Sequence, residues 1–310
     1  MRHLPLAVSD IENLLRQAGY TPTDIEVRTT VSQEEQEETP EPVQQEPVHE
    51  ESVIREDPVP VPQIEEEGEE EAPVIVREEL SRFSSAMWFQ KVQEKVIILA
   101  GVGGIGSWAA LLLAKLSPKE MYLYDMDVVE LHNLAGQLYS KDNVRENKVD
   151  ALAGTILNYT GYGNVFAIPQ AYESGSLSGD IMICGFDNMR AREVFYKAWK
   201  ERLSINGVDK KNCLFIDGRL TANELQILCL TGTDDYYMQQ YERRFLFPDS
   251  MAVSEQCSFK QTGYMANMIG SLITNLVVNF CANQCNPPVK RALPFFTQYH
   301  SDYMLLDKEV

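Results

Sequence analysis

The sequence predicts an α/β fold whose mostly parallel sheet continues into an antiparallel C-terminal part, and three observations predict it. Val96-Ile97-Ile98-Leu99-Ala100 is a short, continuous apolar run, as expected of a strand buried on both faces. That run feeds directly into the turn Gly101-Val102-Gly103-Gly104-Ile105-Gly106, and a second run, Glu120-Met121-Tyr122-Leu123-Tyr124, ends at Asp125. Further along, apolar runs and helical patterns keep alternating, which calls for parallel strands joined by right-handed crossovers.

The first 78 of the 310 residues read differently. Ser9-Asp10-Ile11-Glu12 matches a capping box, and Ile11, Leu14 and Leu15 recur at helical spacing before Gly19 can end the helix. So short a helix does not persist alone in water, and residues 1–28 are either a marginally ordered helical segment or a peptide that docks on a partner. From Glu34 to Glu71 there are 16 acidic residues against Arg55, so this stretch carries most of the net charge of −19. Seven of the 15 prolines fall between Pro40 and Pro73. A Pro/Glu tract of this kind cannot bury enough apolar surface to offset its ordering entropy, so residues 29–78 are expected to be a disordered, self-repelling linker. Residues 79–310 remain as the folded domain.

Within that domain the glycines fit G-x-G-x-x-G. The first permits a tight turn, the second lets the backbone approach phosphate, and the third lets the next helix pack closely on the strand. Backbone N–H groups at such a helix start hold anions. Asp125 lies 19 residues after Gly106, the interval at which an acid meets a ribose hydroxyl. Together these features are those of a Rossmann-like nucleotide-binding fold.

The remaining elements come in order. Lys148–Tyr159 reads as a helix, Asn164–Ile168 and Asp180–Cys184 as strands, and Asp187–Ser204 as a helix with Val194, Phe195, Ala198 and Leu203 on its buried side. Cys213–Asp217 and Glu224–Leu230 are further strands. The segment Tyr236–Pro248 reads as a surface loop, with a surface for a protein tail beside Phe245, Leu246 and Phe247 as the alternative. No charged residue occurs between Lys260 and Lys290, but Asn267, Asn275 and Asn279 interrupt the apolar run Tyr264–Ala282 and no basic cluster flanks it. A buried packing helix therefore fits better than a membrane span. Pro294–His300 and Tyr303–Leu306 could close the chain as a hairpin.

The most specific text in the chain begins at Asp125. Asp125-Met126-Asp127-Val128-Val129, Asn133-Leu134-Ala135-Gly136-Gln137 and Glu146-Asn147-Lys148-Val149 come in order after Gly106-Ser107, and Cys184-Gly185-Phe186-Asp187-Asn188 ends a later strand. This pattern resembles the ThiF/MoeB/ubiquitin-activating superfamily of adenylating enzymes, whose signature is G-x-G-G-x-G-S, D-x-D-x-V, N-L-x-R-Q and x-x-K-V. The resemblance covers about residues 79–305.

The resemblance implies ATP-dependent adenylation of the C-terminal glycine carboxylate of a small ubiquitin-like or sulfur-carrier protein. By motif, Gly101, Gly103, Gly104 and Gly106 cradle phosphate, Asp125 takes the ribose hydroxyls, Lys148 meets the phosphate chain and Asp187 positions Mg2+. Asp127, Asn133, Gln137 and Asn188 fall at binding positions. A helix packed near the contact of a homodimer is implied for Tyr264–Ala282, and so is a terminal hairpin. Relatives place a thioester-forming cysteine near Cys257, 70 residues after Asp187, from which a downstream transfer protein would be loaded. Cys257 is thus a candidate nucleophile, with a small core residue as the alternative. Two positions depart from the pattern: Gly136 stands where the family has an arginine, and Arg82-Phe83-Ser84-Ser85-Ala86 keeps only the first arginine of R-[YF]-x-R-Q. Arg82, Arg190 and Arg192 are candidates to substitute.

Composition bounds the alternatives. The chain has no C-x-x-C, and Cys281 and Cys285 lack a partner pair, so the structural zinc of many relatives is not expected. The acidic balance argues against nucleic acid as a partner. That also disfavours a threonylcarbamoyladenosine tRNA dehydratase, the enzyme rival suggested by Gly103–Ala110. A catalytically reduced nucleotide-binding scaffold is the non-enzyme rival, and a nicotinamide-dependent oxidoreductase accounts for neither Lys148 nor Asp187. Six scattered cysteines and an N-terminus without a basic, then apolar, leader point to the cytoplasm.

Overall fold

A computed structural model describes residues 85–248 and 262–309. The expected N-terminal helix and linker, Arg82 and Cys257 lie outside the described residues. Within them the helices are α1 (Met87–Gln93), α2 (Gly104–Ala114), α3 (Lys148–Thr160), α4 (Met189–Arg202), α5 (Asp235–Arg244) and α6 (Gly263–Asn283). The strands are β1 (Val96–Ala100), β2 (Glu120–Tyr124), β3 (Val165–Ile168), β4 (Ile181–Cys184), β5 (Leu214–Leu220), β6 (Glu224–Thr231), β7 (Phe296–His300) and β8 (Leu305–Glu309).

All eight strands form one sheet in the order β3-β2-β1-β4-β5-β6-β7-β8. The first five are parallel; β5–β6, β6–β7 and β7–β8 are antiparallel. The chain therefore winds outward in both directions from the β1/β4 pair. In an open α/β sheet this reversal leaves a crevice at the carboxyl ends of the two strands, because their crossovers depart to opposite sides.

Helices cover both faces. Ile97 and Leu99 of β1 join the core beneath α1, α2, α3 and α6, while Ile98 and Ala100 join the core beneath α4 and α5. Successive side chains of a strand point to opposite faces, so burial of both sets explains the uninterrupted apolar run. The second core is aromatic: Phe195, Tyr196 and Trp199 of α4 pack against Phe215 of β5, and Tyr241 of α5 closes the group. The expected inward set on α4 holds for Phe195 and Leu203, with Val194 and Ala198 partly buried; Tyr196 and Trp199 are the larger contributors.

Helix α6 is long and apolar enough to cross a membrane, yet Met265, Ile269, Ile273, Leu276, Val277, Phe280 and Cys281 are buried in the first core. It is a packing helix. Its contact with α2 is close because Gly270 has no side chain: a methyl there would lie 2.9 Å from Trp108 Cβ and 3.0 Å from Ala109 N.

The reading of Tyr236–Pro248 as a loop is corrected. Asp235–Arg244 is a helix, capped by the Asp234 carboxylate accepting from Tyr237 N–H and buried through Met238 and Tyr241. Its apolar spacing is sparse, and its aromatic residues find partners on α4, in Phe215 of β5 and in Phe295, far away in sequence.

Candidate functional site

The glycine turn sits in the crevice. Gly101 has φ +84°, and a methyl on it would lie 2.7 Å from the carbonyl carbon of Gly185 at the end of β4. A methyl on Gly185 would in turn meet Gly101 O at 2.6 Å. Gly185 N–H donates to Ala100 O at 2.8 Å and Gly101 N–H to Tyr124 O at 2.9 Å, so the turn is tied to the strand ends on both sides. Gly106 faces Gly101 O, which its missing Cβ would approach to 2.0 Å. It admits α2 against β1 and does not line the cavity. Gly103 is open on its cavity side, where the nearest neighbour of a methyl would be Gln137 Nε2 at 3.7 Å. The start of α2 at Gly104 thus presents unshared backbone N–H groups to a cavity of about 220 Å³.

Asp125 locks to that turn. Its Oδ2 accepts from Val102 N–H and its Oδ1 from Asp127 N–H, both at 2.9 Å. Burial raises its carboxyl pKa above the ordinary carboxylate value; the Lys148 charge and the two N–H groups oppose the rise.

Lys148 is the first residue of α3, and an antiparallel bridge between Val128 and Asn147 delivers it to the cavity. Its N–H donates to Asp127 O at 3.0 Å, and its ammonium contacts Asp127 Oδ2 at 2.7 Å. The lysine side chain is only 8% exposed, whereas that of Asp127 is 58% exposed. A solvated helix-start lysine would carry no site; this one is enclosed and aimed by its partner.

Asp187 stands on the exposed turn after β4. Asn188 Nδ2 donates to Asp187 Oδ1 at 3.3 Å, while Asn188 Oδ1 caps α4 by accepting from Ala191 N–H at 2.8 Å. Gln137 lines the same cavity, and its Oε1 is buried without a hydrogen-bond partner among the described residues. Gly101, Gly103, Gly104, Asp125, Asp127, Gln137, Lys148, Asp187 and Asn188, expected at a site from spacing and motif, all line one cavity.

Asn133 does not join them. It is buried in a reciprocal cap, its Oδ1 accepting from Glu130 N–H at 2.9 Å while the Glu130 side chain accepts from Asn133 N–H. Its role is to shape the turn Leu131–Ala135. Gly136, at the position of the family arginine, is buried; its carbonyl accepts from Trp108 Nε1 at 3.3 Å and its Cα lies near the start of α6. Ser85 is exposed before α1. Arg192 lines the cavity but is bound to the buried Asp217 and to the carbonyls of Gly218 and Phe186. Of the three candidate arginines, Arg192 is therefore already committed within the fold. Arg190 lies instead on a separate groove of about 620 Å³ with Met189, Lys197 and Phe247.

Spacing missed Tyr124, Met126, Tyr172 and Phe186, which with Ile105 and Leu220 supply most of the apolar part of the cavity. Tyr172 packs edge-on against Tyr124 with ring centroids 5.0 Å apart. The available signal was positional: Tyr172 follows β3, and loops after parallel strands meet at the crevice. Cys184, Cys213, Cys229, Cys281 and Cys285 are buried, and burial pushes the thiols of Cys184, Cys229 and Cys281 up to about 12. Among the described residues no three His, Cys, Asp or Glu side chains converge as a metal cluster.

A doubly wound sheet with its glycine turn, acid and lysine at the switch point defines a Rossmann-like α/β protein. Residues 77–308 match the ThiF family, and the chain belongs to it. Ubiquitin-like modifier-activating enzyme 5 of Bombyx mori is 28% identical over 138 residues, 39% of this chain and 35% of that protein. The enzyme of the same name from Caenorhabditis elegans is 26% identical over 142 residues, 41% of this chain and 34% of that protein. The match thus spans about a third of these curated relatives. Among solved structures, PaaA aligns with a TM-score of 0.55 at 18% identity, over 72% of this chain and 66% of PaaA. MccB of E. coli, solved with ATP, aligns at 0.52 and 17% identity over 72% of this chain and 65% of MccB. These two likenesses establish the shared fold.

Proposed function

We propose that this chain uses ATP with magnesium to adenylate the C-terminal glycine carboxylate of a small ubiquitin-like or sulfur-carrier protein, as a homodimer in the cytoplasm. The observation that carries the reading is the convergence of the Gly101–Gly106 turn, Asp125, Lys148 and Asp187 on one cavity at the switch point. The partner class is supported by the names of the curated relatives.

The cavity fits such a substrate chemically. Gly103 carries no side chain on the cavity side, so the backbone N–H groups at the start of α2 approach the phosphates directly. Asp125, already fixed by two N–H groups, accepts from the ribose hydroxyls, and the orphaned Gln137 Oε1 accepts one further donor. Asp187 would hold Mg2+, which disperses charge on the phosphate oxygens. Lys148 exchanges its Asp127 contact for phosphate. The substrate carboxylate oxygen then bonds to the α-phosphorus, the bond to the bridging oxygen breaks, and pyrophosphate leaves with that electron pair. Both reactants are anionic, so positioning and cations account for the rate. Transfer of the acyl group to Cys257, and from there to a downstream protein, would follow as a separate step with AMP leaving.

Pyrophosphate exchange with carrier proteins ending in Gly-Gly, alongside calorimetry with ATP and NAD, tests the reading. ATP binding lost in Lys148→Ala or Asp187→Ala supports it; tight NAD binding without ATP binding ends it. A thiol-sensitive adduct absent from Cys257→Ser, with exchange retained, would assign the transfer step. The second reading, a nucleotide-binding scaffold with little turnover, is favoured by Gly136 and by the engagement of Lys148 and Arg192 in ion pairs. It predicts ATP binding without exchange.

A further inference from the structure

Asp217 lies on β5, fully buried, and does not line the cavity. Both its carboxylate oxygens are engaged, each toward a different part of the molecule. Oδ1 accepts from Arg192 Nη1. Oδ2 accepts from Arg219 Nε at 3.1 Å, from Arg219 Nη2 at 2.9 Å and from Tyr241 O–H at 3.0 Å. On the Oδ2 side, Arg219 goes on to Phe245 O at 2.8 Å, at the end of α5.

On the Oδ1 side the chain of contacts leads to the cavity. Arg192 Nη1 also donates to Gly218 O at 3.0 Å, and its Nη2 donates to the carbonyl of Phe186. Phe186 immediately precedes Asp187. A guanidinium is planar, with its donors in a rigid fork, so fixing one arm on Asp217 sets the direction of the other. The turn bearing Asp187 is thus held at the Phe186 carbonyl from β5, and at Asn188 by the α4 cap. Asn188 Nδ2 then reaches Asp187 Oδ1.

We propose that Asp217 is a positioning residue for Asp187, acting through Arg192 on the Phe186 carbonyl, so that the magnesium affinity of the site is set from β5. This rests on the proposed ATP-magnesium function, in which Asp187 meets the metal. Ligands oriented by an outer shell lose about 10- to 100-fold in metal affinity when that shell is removed.

The experiment uses the full chain and titrates magnesium during ATP binding. Arg192→Lys keeps the charge beside Asp217 but loses the fork. It is expected to raise the magnesium concentration for half-maximal ATP binding by about tenfold or more, leaving adenosine affinity within about a factor of two. Tyr241→Phe removes one bond on the Oδ2 side and is expected to change neither quantity beyond that factor. A wild-type magnesium requirement in Arg192→Lys, or an equal rise in Tyr241→Phe, overturns the proposal. If Arg192→Lys fails to fold, Asp217→Asn, with the same shape and no charge, carries the same expectations. Hydrogen exchange of amides 185–191 without nucleotide separates this proposal from the functional reading. Faster exchange in Arg192→Lys than in Tyr241→Phe supports positioning even where Asp187→Asn shows no metal role, and equal exchange overturns it.

Discussion

Gly103 and Gly106 belong to one turn, yet a methyl group would meet different surroundings at each. At Gly106 it would come within 2.0 Å of Gly101 O and 2.8 Å of Leu99 Cδ2. Alanine is the better helix former by about 1 kcal/mol, but a backbone contact that short forces α2 away from β1, and overpacking of this kind costs about 1–3 kcal/mol. The contact decides the sign. Gly106→Ala is therefore expected to lower unfolding stability by about 1–3 kcal/mol in denaturant titrations, whereas Gly103→Ala should stay within about 1 kcal/mol of wild type. Equal losses at both positions would show that the turn is limited by backbone freedom and not by packing. At this scale the sequence spoke clearly for Asp125 and Lys148, whose intervals place them at strand and helix ends. It did not show that Asn133 lies off the cavity, because a motif position does not reveal that an amide is already used within its own turn.

Among elements, α2 and α6 show how closely the site depends on packing some distance away. Helix α2 presents its N-terminus to the cavity and lies against α6 at Gly270. Gly270→Ala would place a methyl 2.9 Å from Trp108 Cβ and 3.0 Å from Ala109 N. The expected loss is again about 1–3 kcal/mol despite the gain in helix propensity, accompanied by weaker ATP binding because α2 must shift. A stabilised protein with unchanged binding would refute this coupling. Strands β1 and β2 were legible to the residue: β1, buried on both faces, reads as an unbroken apolar run, and β2 as a short run of large apolar and aromatic residues ending at Asp125. Helix α5 was not legible: its buried side chains are Met238 and Tyr241, too few for a periodic signal.

For the whole molecule, the family match begins at residue 77, close to the boundary at 79 expected from the Pro/Glu tract. A chain starting at residue 79 is expected to fold with unchanged thermal stability and to bind ATP with the affinity of the full chain. Loss of either on truncation would make the acidic tract part of the folded unit. By itself the sequence determined the alternating α/β order, the glycine turn and the acid and lysine that share its cavity. These depend on local spacing along the chain, which periodicity and motif intervals record directly. Only the tertiary structure decided that Arg192 is committed to Asp217, that Gly136 is packed under Trp108, and that Tyr124, Tyr172 and Phe186 wall the cavity. Those outcomes join residues tens of positions apart through burial and hydrogen-bond geometry, and a linear text carries no record of which distant donor a buried carboxylate will take.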